Sequence, residues 1–258
     1  TGRIRDQWHT MTRTSRSAAL SAHTAEPIAE LHPRDAQRVG VDHNQLVSIE
    51  TGTSRSVARV QITDWQRPGS VFVPMHWTRK LASRWCVNDV THSRVCATSG
   101  QPDFKRTPVR LRPFNAAWHG FLLSRRELDP GEFAYWVKVR GEGHWRYELA
   151  SERPIENPGE WARALLCTES EDGEWVEYAD PRRARYRALR LVGEELESCL
   201  FMAPDLRLPS RDWLGQRFGP GGLEGVAPSQ VLAGRPGQGA ALDGSLICSC
   251  FKVSMGSL

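Results

Sequence analysis

The chain has 258 residues, of which 40% are hydrophobic and 25% are charged, and this balance excludes collagen-like, coiled-coil and wholly disordered proteins. Its net charge of +4 is too small for a dedicated nucleic-acid-binding protein. It contains no apolar run of about 18 residues that could cross a membrane, and it begins at Thr1 without a secretion signal. We therefore expect a globular protein without nucleic-acid or membrane partners, whose chain starts inside a longer one.

The six cysteines do not form the pattern of a disulfide framework. Cys86, Cys96, Cys167 and Cys199 stand alone along the chain, as buried free thiols commonly do. This use of cysteine favours a reducing compartment, the cytoplasm.

Residues 1–25 are polar and follow neither a helical nor a strand period, so they predict a long ordered loop. Residues 26–113 predict a compact β unit with one short helix. That helix has Pro33 at its first position and Gly40 just beyond its end, as helices commonly do. Several short strands with one small helix favour a closed barrel. The predicted strands are 28–31, 45–51, 55–63, 70–73 and 107–112.

Residues 114–202 predict a second, α+β unit. Its helix, 158–167, has Asn157 as a plausible N-cap and Glu160 in the first turn. Residues 203–246 are rich in glycine and proline and predict a linker, apart from a short helix around 211–218. The strands predicted in the second unit are 121–123, 134–139, 145–149, 174–178, 186–192 and 198–202.

The polar loop at the start contains the first candidate site. Its hydroxyl, imidazole and guanidinium groups can donate hydrogen bonds to an anion such as a pyrophosphate. The alternative is a solvated loop with one tryptophan packed on the barrel. The residues concerned are Arg3, Trp8, His9, Thr10 and Thr12.

Two further segments have suitable polar groups. His76 follows the strand 70–73, and the end of a strand is a usual place for a ligand contact. The alternative is a core Trp77 beside a surface imidazole. Asn88, Gln101 and Lys105 could bind the edge of a heterocycle and a phosphate, and the alternative, which the segment taken alone favours, is a polar turn. No Ser/His/Asp triad, phosphate-binding loop or Rossmann glycine pattern is evident.

Cys248 and Cys250 form the only close cysteine pair. Thiolates at this spacing can bind a metal ion or one iron of a cluster, but two ligands do not complete a four-ligand site. We expect these two cysteines to have no partner cysteine within this chain.

Six segments of residues 1–113 are informative when they are taken together. They are TGR at 1–3, WHTMTRT at 8–14, AEP at 25–27, HP at 32–33, GSVFVPMHW at 69–77 and SGQPDFK at 99–105. This set resembles the C-terminal domain of assimilatory nitrate reductases, which are bacterial molybdopterin oxidoreductases of the dimethyl-sulfoxide-reductase superfamily. Residues 208–214 and 232–236 resemble the linker that leads, in those enzymes, to a domain like bacterioferritin-associated ferredoxin.

The resemblance implies a mainly β architecture with α+β parts. A six-stranded double-psi β-barrel would span residues 1–113, followed by the α+β unit at 114–202, the linker at 203–246 and the start of a 2Fe–2S domain at 247–258. The implied cofactor is molybdenum bis(molybdopterin guanine dinucleotide). The residues expected to line its pterin and phosphate groups are Arg3, Trp8, His9, Thr10, Thr12, His76, Asn88, Gln101 and Lys105.

The resemblance also implies that this chain is one part of an enzyme. Cys248 and Cys250 would be half of a 2Fe–2S site, and the ligands of a 4Fe–4S cluster and of molybdenum would precede Thr1. We therefore expect no catalytic residue in this chain and no activity from it alone. The chain departs from the family at Ser15, where glycine is usual, at Cys96-Ala97, where Asp-Pro is usual, and along 87–95.

The parent enzyme implied is a cytoplasmic nitrate reductase. It would reduce nitrate to nitrite by a two-electron oxygen-atom transfer in nitrate assimilation, with electrons from a ferredoxin, a flavodoxin or an NADH-linked reductase subunit. One alternative is the same fold in another molybdopterin oxidoreductase, such as a formate dehydrogenase. Another is a stand-alone cofactor-binding module.

Overall fold

The computed structural model describes residues 1–83, 85–131, 133–167 and 172–235, together with the backbone of residues 246–248 and 253–254. Most of the described chain belongs to a five-stranded and a six-stranded sheet, which confirms the mainly β expectation. The helices are short: α1 (Ala18–His23), α2 (Pro33–Val39), α3 (Pro158–Leu166), α4 (Arg211–Gly215) and α5 (Pro228–Ala233).

The first sheet curls into a half-barrel with the strand order β4-β1-β3-β2-β5. β1 pairs with β3 in parallel, and the other neighbours are antiparallel. The strands are β1 (Ile28–Leu31), β2 (Leu46–Glu50), β3 (Arg55–Ile62), β4 (Val71–Phe72) and β5 (Arg110–Pro113).

The six strands and the closure of a double-psi barrel are not confirmed. β4 and β5 lie at the two edges of a five-stranded sheet. Between these strands, the described residues form isolated bridges, turns and a 3-10 turn at Val87–Val90, with no further strand.

Local capping signals explain where α2 begins and ends. Pro33 occupies its first turn, and the His32 side chain accepts a hydrogen bond from the Arg34 N–H at 3.1 Å. Gly40 ends the helix in the left-handed region, at φ 78°, which costs glycine little. The expectation for this helix is confirmed.

The expectation of a loop throughout residues 1–25 is wrong over its second half. A 3-10 turn at Thr14–Arg16 leads into α1. The hydroxyl of Ser17 accepts a hydrogen bond from the Leu20 N–H and caps the helix. A serine before two alanines and a leucine is an N-cap signal, which the polar composition of the segment obscured.

The second sheet is antiparallel throughout and has the strand order β7-β8-β6-β11-β10-β9. As expected, α3 begins with Pro158 after an Asn157 cap, whose side chain accepts from the Glu160 N–H. The strands are β6 (Trp118–Ser124), β7 (Tyr135–Arg140), β8 (Trp145–Ser151), β9 (Glu174–Asp180), β10 (Arg185–Val192) and β11 (Glu195–Ala203). A separate pair consists of β12 (Leu246–Cys248) and β13 (Val253–Ser254).

Alternate residues of β11 enter different cores, as the two-residue period of a strand requires. Leu200 and Met202 pack on the face covered by α3, whereas Cys199 and Phe201 pack on the opposite face. That second face is covered by α4, the following 3-10 turn and α5, through the buried side chains Leu214, Phe218 and Val231.

The short helix expected around 211–218 is confirmed by α4 and the 3-10 turn that follows it, and α5 is a further helix within 203–235. Residues 211–233 contain two helices whose apolar side chains help to bury the second sheet. Glycine and proline between these helices dominate the composition, but Leu214, Phe218 and Val231 decide the structure because they bury apolar surface.

The four described cysteines are free thiols. Cys199 is buried on β11, as expected, and Cys86 is half-buried. The expectation of burial is wrong for Cys96 and Cys167, which are exposed. Cys167 lies at the C-cap of α3, after its last buried residue, Leu166. Within the described part of the chain, no helix has the length and apolar character needed to cross a membrane.

A buried ion pair joins the two sheets. Glu26 accepts hydrogen bonds from the Arg59 guanidinium at 2.5 Å and from the Tyr135 hydroxyl at 2.5 Å. The Arg59 and Glu26 side chains are 13% and 14% exposed. Tyr135 and Val137 of β7 are buried in the core of the first sheet. Polar and apolar contacts together therefore fix the second sheet against the first.

We predict that Glu26→Gln lowers the free energy of unfolding by about 3 kcal/mol, because it leaves the buried Arg59 charge without a counter-ion. Glu152→Gln is the matched control: Glu152 pairs with Arg55 across the same junction, but its side chain is 40% exposed, so the loss should stay below about 1 kcal/mol. Urea unfolding of both variants measures the difference. Equal losses would contradict the assigned role of Glu26.

Candidate functional site

A buried histidine fixes the polar loop at the start of the chain. His76 is fully buried, and its Nε2 accepts a hydrogen bond from the Ile4 N–H at 3.0 Å. Its Nδ1 lies 2.7 Å from the carbonyl oxygen of His9. A carbonyl only accepts, so Nδ1 must carry the proton and Nε2 must be free of one. Both bonds therefore require the neutral, Nδ1-protonated ring.

Burial also favours the neutral form of this ring. Burial lowers the pKa of His76, and the positive charge of Arg3 lowers the pKa further, against the opposing effect of the hydrogen bond to the His9 carbonyl. His76 consequently stays neutral near pH 7 and can keep both hydrogen bonds.

The beginning of the loop is also fixed to the end of β4. Gly2 forms a parallel bridge with Pro74: the Gly2 N–H donates to the Val73 carbonyl at 3.3 Å, and the Met75 N–H donates to the Gly2 carbonyl at 3.0 Å. A Cβ at Gly2 would lie 2.8 Å from the ring of Phe72. The close approach of this backbone to β4 therefore favours glycine.

Two loop residues adopt a backbone conformation that is unusual for their type. His9 and Met11 have φ angles of 46° and 59°, and a non-glycine residue in this region costs about 1–3 kcal/mol. Tertiary contacts stabilise both. The His9 carbonyl binds His76, and the Met11 side chain is 4% exposed in the first core. With Met11 directed inward, Thr10 and Thr12 on either side are exposed.

The outer surface of the loop brings a cation and two rings together. The guanidinium carbon of Arg3 lies 4.8 Å from the centre of the Trp8 ring. The Trp8 and His9 rings meet edge to face with their centres 4.6 Å apart. Trp8 is 59% exposed. Lys105 lies close enough to the start of the loop for its charge to act on the backbone at Thr1.

The structure thus connects several of the residues singled out in the sequence. His76 binds the backbone at Ile4 and His9, and Arg3 stacks on Trp8. His76 is not the surface imidazole of the alternative interpretation, although Trp77 is a core residue as that alternative expects.

The described hydrogen bonds of the remaining two candidates are local. The Gln101 N–H donates to the Ser99 hydroxyl, and the Gln101 carbonyl accepts from the Cys96 N–H. The Asn88 carbonyl accepts from the Thr91 hydroxyl. Both side chains are exposed. Their convergence with the loop, and their contact with a cofactor, stay predictions.

Sequence reasoning missed Ile4 and the role of Met11. Ile4 contributes its backbone N–H, a group that every residue but proline possesses, so its identity gives no signal. Met11 lies in a polar segment, and only its burial reveals that it anchors the loop.

The expected iron–sulfur ligands are Cys248 and Cys250. Cys250 and the side chain of Cys248 lie outside the described residues, so the half-site stays a prediction. Among the residues that are described, no group of three or more His, Cys, Asp and Glu side chains could hold a metal ion.

Comparison with known proteins identifies the loop-bearing region. Residues 1–108 match the family model described as "Molydopterin dinucleotide binding domain". These residues are therefore similar to molybdopterin dinucleotide-binding domains.

Relatives of known type extend the match. The chain is 32% identical over 253 residues to "Nitrate reductase" of Klebsiella oxytoca, a match that covers 98% of this chain and 28% of that protein. It is 33% identical over 113 residues to "Assimilatory nitrate reductase catalytic subunit" of Bacillus subtilis (strain 168), a match that covers 44% of this chain and 15% of that protein. It is also 35% identical over 83 residues to "F420-dependent formate dehydrogenase 1 subunit alpha" of Methanococcus maripaludis, and this match covers 32% of this chain and 12% of that protein.

The resemblance to nitrate reductases is confirmed, and it covers nearly the whole chain in the Klebsiella relative. The first 108 residues of the chain also match the molybdopterin dinucleotide-binding family model. The chain spans 28% of the Klebsiella protein and 15% of the Bacillus protein.

We predict that His76→Ala releases the loop. The substitution leaves the Ile4 N–H and the His9 carbonyl without their partner, and should lower the free energy of unfolding by about 2–4 kcal/mol through unsatisfied polar groups and a cavity. The fluorescence of Trp8 should also change because the loop carries it. His9→Ala is the control, since it removes an exposed imidazole of the same loop and retains the carbonyl that His76 binds. A loss for His9→Ala as large as that for His76→Ala would contradict the assigned role.

Proposed function

We propose that this chain is the cofactor-binding part of a molybdenum nitrate reductase that reduces nitrate to nitrite in nitrate assimilation. The observation that carries the proposal is the loop fixed by His76, which presents cationic, hydroxyl and aromatic groups at the surface of a molybdopterin dinucleotide-binding domain. The nitrate reductase relatives support the substrate, and the Bacillus relative supports the assimilatory role.

The chemistry of the exposed groups fits the dinucleotide part of molybdenum bis(molybdopterin guanine dinucleotide). A pyrophosphate needs cationic and hydroxyl donors, which Arg3, Lys105, Thr10 and Thr12 would supply. A flat heterocycle needs an exposed aromatic face, which Trp8 would supply. All five side chains are exposed, so burial does not prevent such contacts.

Each residue would have a separate task in this proposal. Arg3 and Lys105 bind phosphate charge, and the hydroxyls of Thr10 and Thr12 donate hydrogen bonds to phosphate oxygens. Trp8 and His9 lie against a ring, and the amides of Asn88 and Gln101 bind ring edges. His76 acts as a positioning residue, because its ring is buried behind the loop. When bound, the cofactor supplies the two-electron redox chemistry and the oxygen-atom transfer.

We also propose that the first domain has double-psi barrel topology over residues 1–113, with the α+β unit at 114–202 following it. The parallel pairing of β1 with β3 and the parallel bridge between Gly2 and Pro74 support this topology, because a simple meander contains neither.

The remaining redox centres belong to the same proposal. Cys248 and Cys250 provide half of a 2Fe–2S site, and a 4Fe–4S cluster lies in another part of the enzyme. The electron donor is a ferredoxin, a flavodoxin or an NADH-linked reductase subunit. The free thiols of Cys86, Cys96, Cys167 and Cys199 support a cytoplasmic location.

A formate dehydrogenase is the second candidate, because a formate dehydrogenase subunit also matches part of the chain. That match covers 32% of this chain, whereas the match to the Klebsiella nitrate reductase covers 98%. The difference in coverage favours nitrate over formate as the substrate of the parent enzyme.

A chimeric enzyme tests the proposal. This chain replaces the matching 253-residue region of the Klebsiella nitrate reductase, and molybdenum content and reduction of nitrate by reduced viologen are measured. We predict that the chimera retains molybdenum and reduces nitrate. The double substitution Arg3→Gln and Lys105→Gln should lower molybdenum content at least tenfold by removing two phosphate-binding cations. Arg110→Gln with Lys80→Gln, on exposed residues of the same domain, should not.

Two outcomes would contradict the proposal. A chimera that retains molybdenum but reduces no nitrate, or that oxidises formate instead, would exclude nitrate as the substrate. Equal molybdenum contents in the two double variants would exclude the loop as the cofactor site.

A further inference from the structure

A second candidate site lies at the junction of the two sheets, in a cleft of about 310 Å³. Clefts of about 300–1,000 Å³ are typical binding sites for small organic molecules. The cleft lies between the first sheet, β6 and β8 of the second sheet, and the segment that leads to α4. Its main lining residues are Arg59, His119, Arg146, Glu148, Leu206 and Arg211.

The charges in this cleft leave one cation in excess. Three guanidinium groups face two carboxylates, those of Glu26 and Glu148. Burial, followed by the charge of Arg59, lowers the pKa of His119 to about 4, so this imidazole is neutral near pH 7. The lining residues therefore carry an excess of positive charge, although the carboxylates of Asp205 and Asp212 also act on His119 and Arg146.

Two of the three arginines use their donors within the protein. Arg59 donates from Nε and Nη2 to Glu26 and from Nη1 to the Asn44 carbonyl. Arg211 donates from Nε and Nη2 to Glu148 and from Nη1 to the Pro209 carbonyl. These two guanidinium groups serve to hold the junction together.

Arg146 is different. Its Nε donates to Glu148 at 2.7 Å, and no residue in the described part of the chain accepts from its Nη groups. A guanidinium has five N–H donors, so four remain available in a planar pair that matches the two oxygens of a carboxylate. The ring of His119 likewise has no hydrogen-bond partner among the described residues. Arg146 and His119 both line the cleft.

The lining also includes apolar side chains. Leu206, which is 37% exposed, and Leu208 line the cleft on the segment before α4. These two side chains give the cleft apolar surface beside its charged groups.

We propose that this cleft binds a small organic monocarboxylate, with the carboxylate on the Nη groups of Arg146, a hydrogen bond to His119 and an apolar tail on Leu206 and Leu208. The site is separate from the loop fixed by His76. Its test requires neither the molybdenum cofactor nor nitrate reduction, so its failure is distinguishable from failure of the proposed function.

Calorimetric titration of the 258-residue chain with hexanoate tests the proposal, and NMR signals of the His119 ring report where the ligand binds. We expect one hexanoate per chain and a shift of the His119 signals. Neutral hexanamide should bind at least tenfold more weakly because it has no charge for Arg146, and acetate should bind more weakly because it has no apolar tail. Nitrate should also bind more weakly than hexanoate.

Two pairs of variants locate the contacts. Arg146→Gln should weaken hexanoate binding at least tenfold, and Arg110→Gln, an exposed arginine on β5, should not. Leu206→Glu should weaken binding at least tenfold, through loss of the apolar contact and through repulsion of the carboxylate ligand, and it should weaken binding more than Leu206→Gln, since glutamine has the shape of glutamate without its charge. Leu206 lies at the surface, so both of its variants should fold. They test whether the ligand binds in this cleft even if Arg146→Gln does not fold.

Several results would overturn the proposal: no binding of hexanoate, equal binding of hexanamide, nitrate as tight as hexanoate, or no difference within both variant pairs. Binding without a change in the His119 signals would place the ligand elsewhere and would also overturn it.

Discussion

The candidate cofactor surface depends on one neutral imidazole. His76 accepts a hydrogen bond from the Ile4 N–H and donates one to the His9 carbonyl, and it makes both from a fully buried position. The loop it holds has mainly exposed side chains and left-handed residues at His9 and Met11. Such a segment buries too little apolar surface to fix itself. The buried ring therefore supplies order, and the exposed side chains remain available for a ligand.

At the junction of the two sheets, too, the polar groups that hold the structure together differ from those available to a ligand. Arg59 donates hydrogen bonds to Glu26 and to a backbone carbonyl, and Arg211 donates to Glu148 and to another backbone carbonyl. Carboxylates of the protein therefore neutralise both guanidinium charges. This arrangement resembles that of the loop, where His76 is buried and the ligand-type groups are outside. In both places the groups that hold the structure are distinct from those left for a partner.

Features set by neighbouring residues could be predicted from the sequence. Pro33 and Gly40 delimit α2, and Asn157 caps α3, because these signals act within one turn. The strands β1 and β3 follow from their hydrophobic pattern. Features that depend on distant contacts could not be predicted. They include the burial of His76 by a loop some 70 residues away and the packing of Leu214 and Val231 on the second sheet. The number of strands in the first sheet, which is five, is another. The candidate loop residues were recognised by type, whereas the geometry that fixes them was not.

The protonation state of His76 tests this account most directly. Nitrogen chemical shifts of its ring, followed from pH 8 to pH 5, distinguish the two neutral tautomers and the cation. We predict that the ring is neutral and protonated on Nδ1, and that this form persists below the ordinary histidine pKa of 6.5 because the folded-state pKa is lowered. Its contribution to stability is then complete above pH 6.5 and falls as the pH drops toward the folded-state pKa. An Nε2-protonated ring, or titration at or above pH 6.5, would contradict the claim that His76 holds the loop through these two hydrogen bonds.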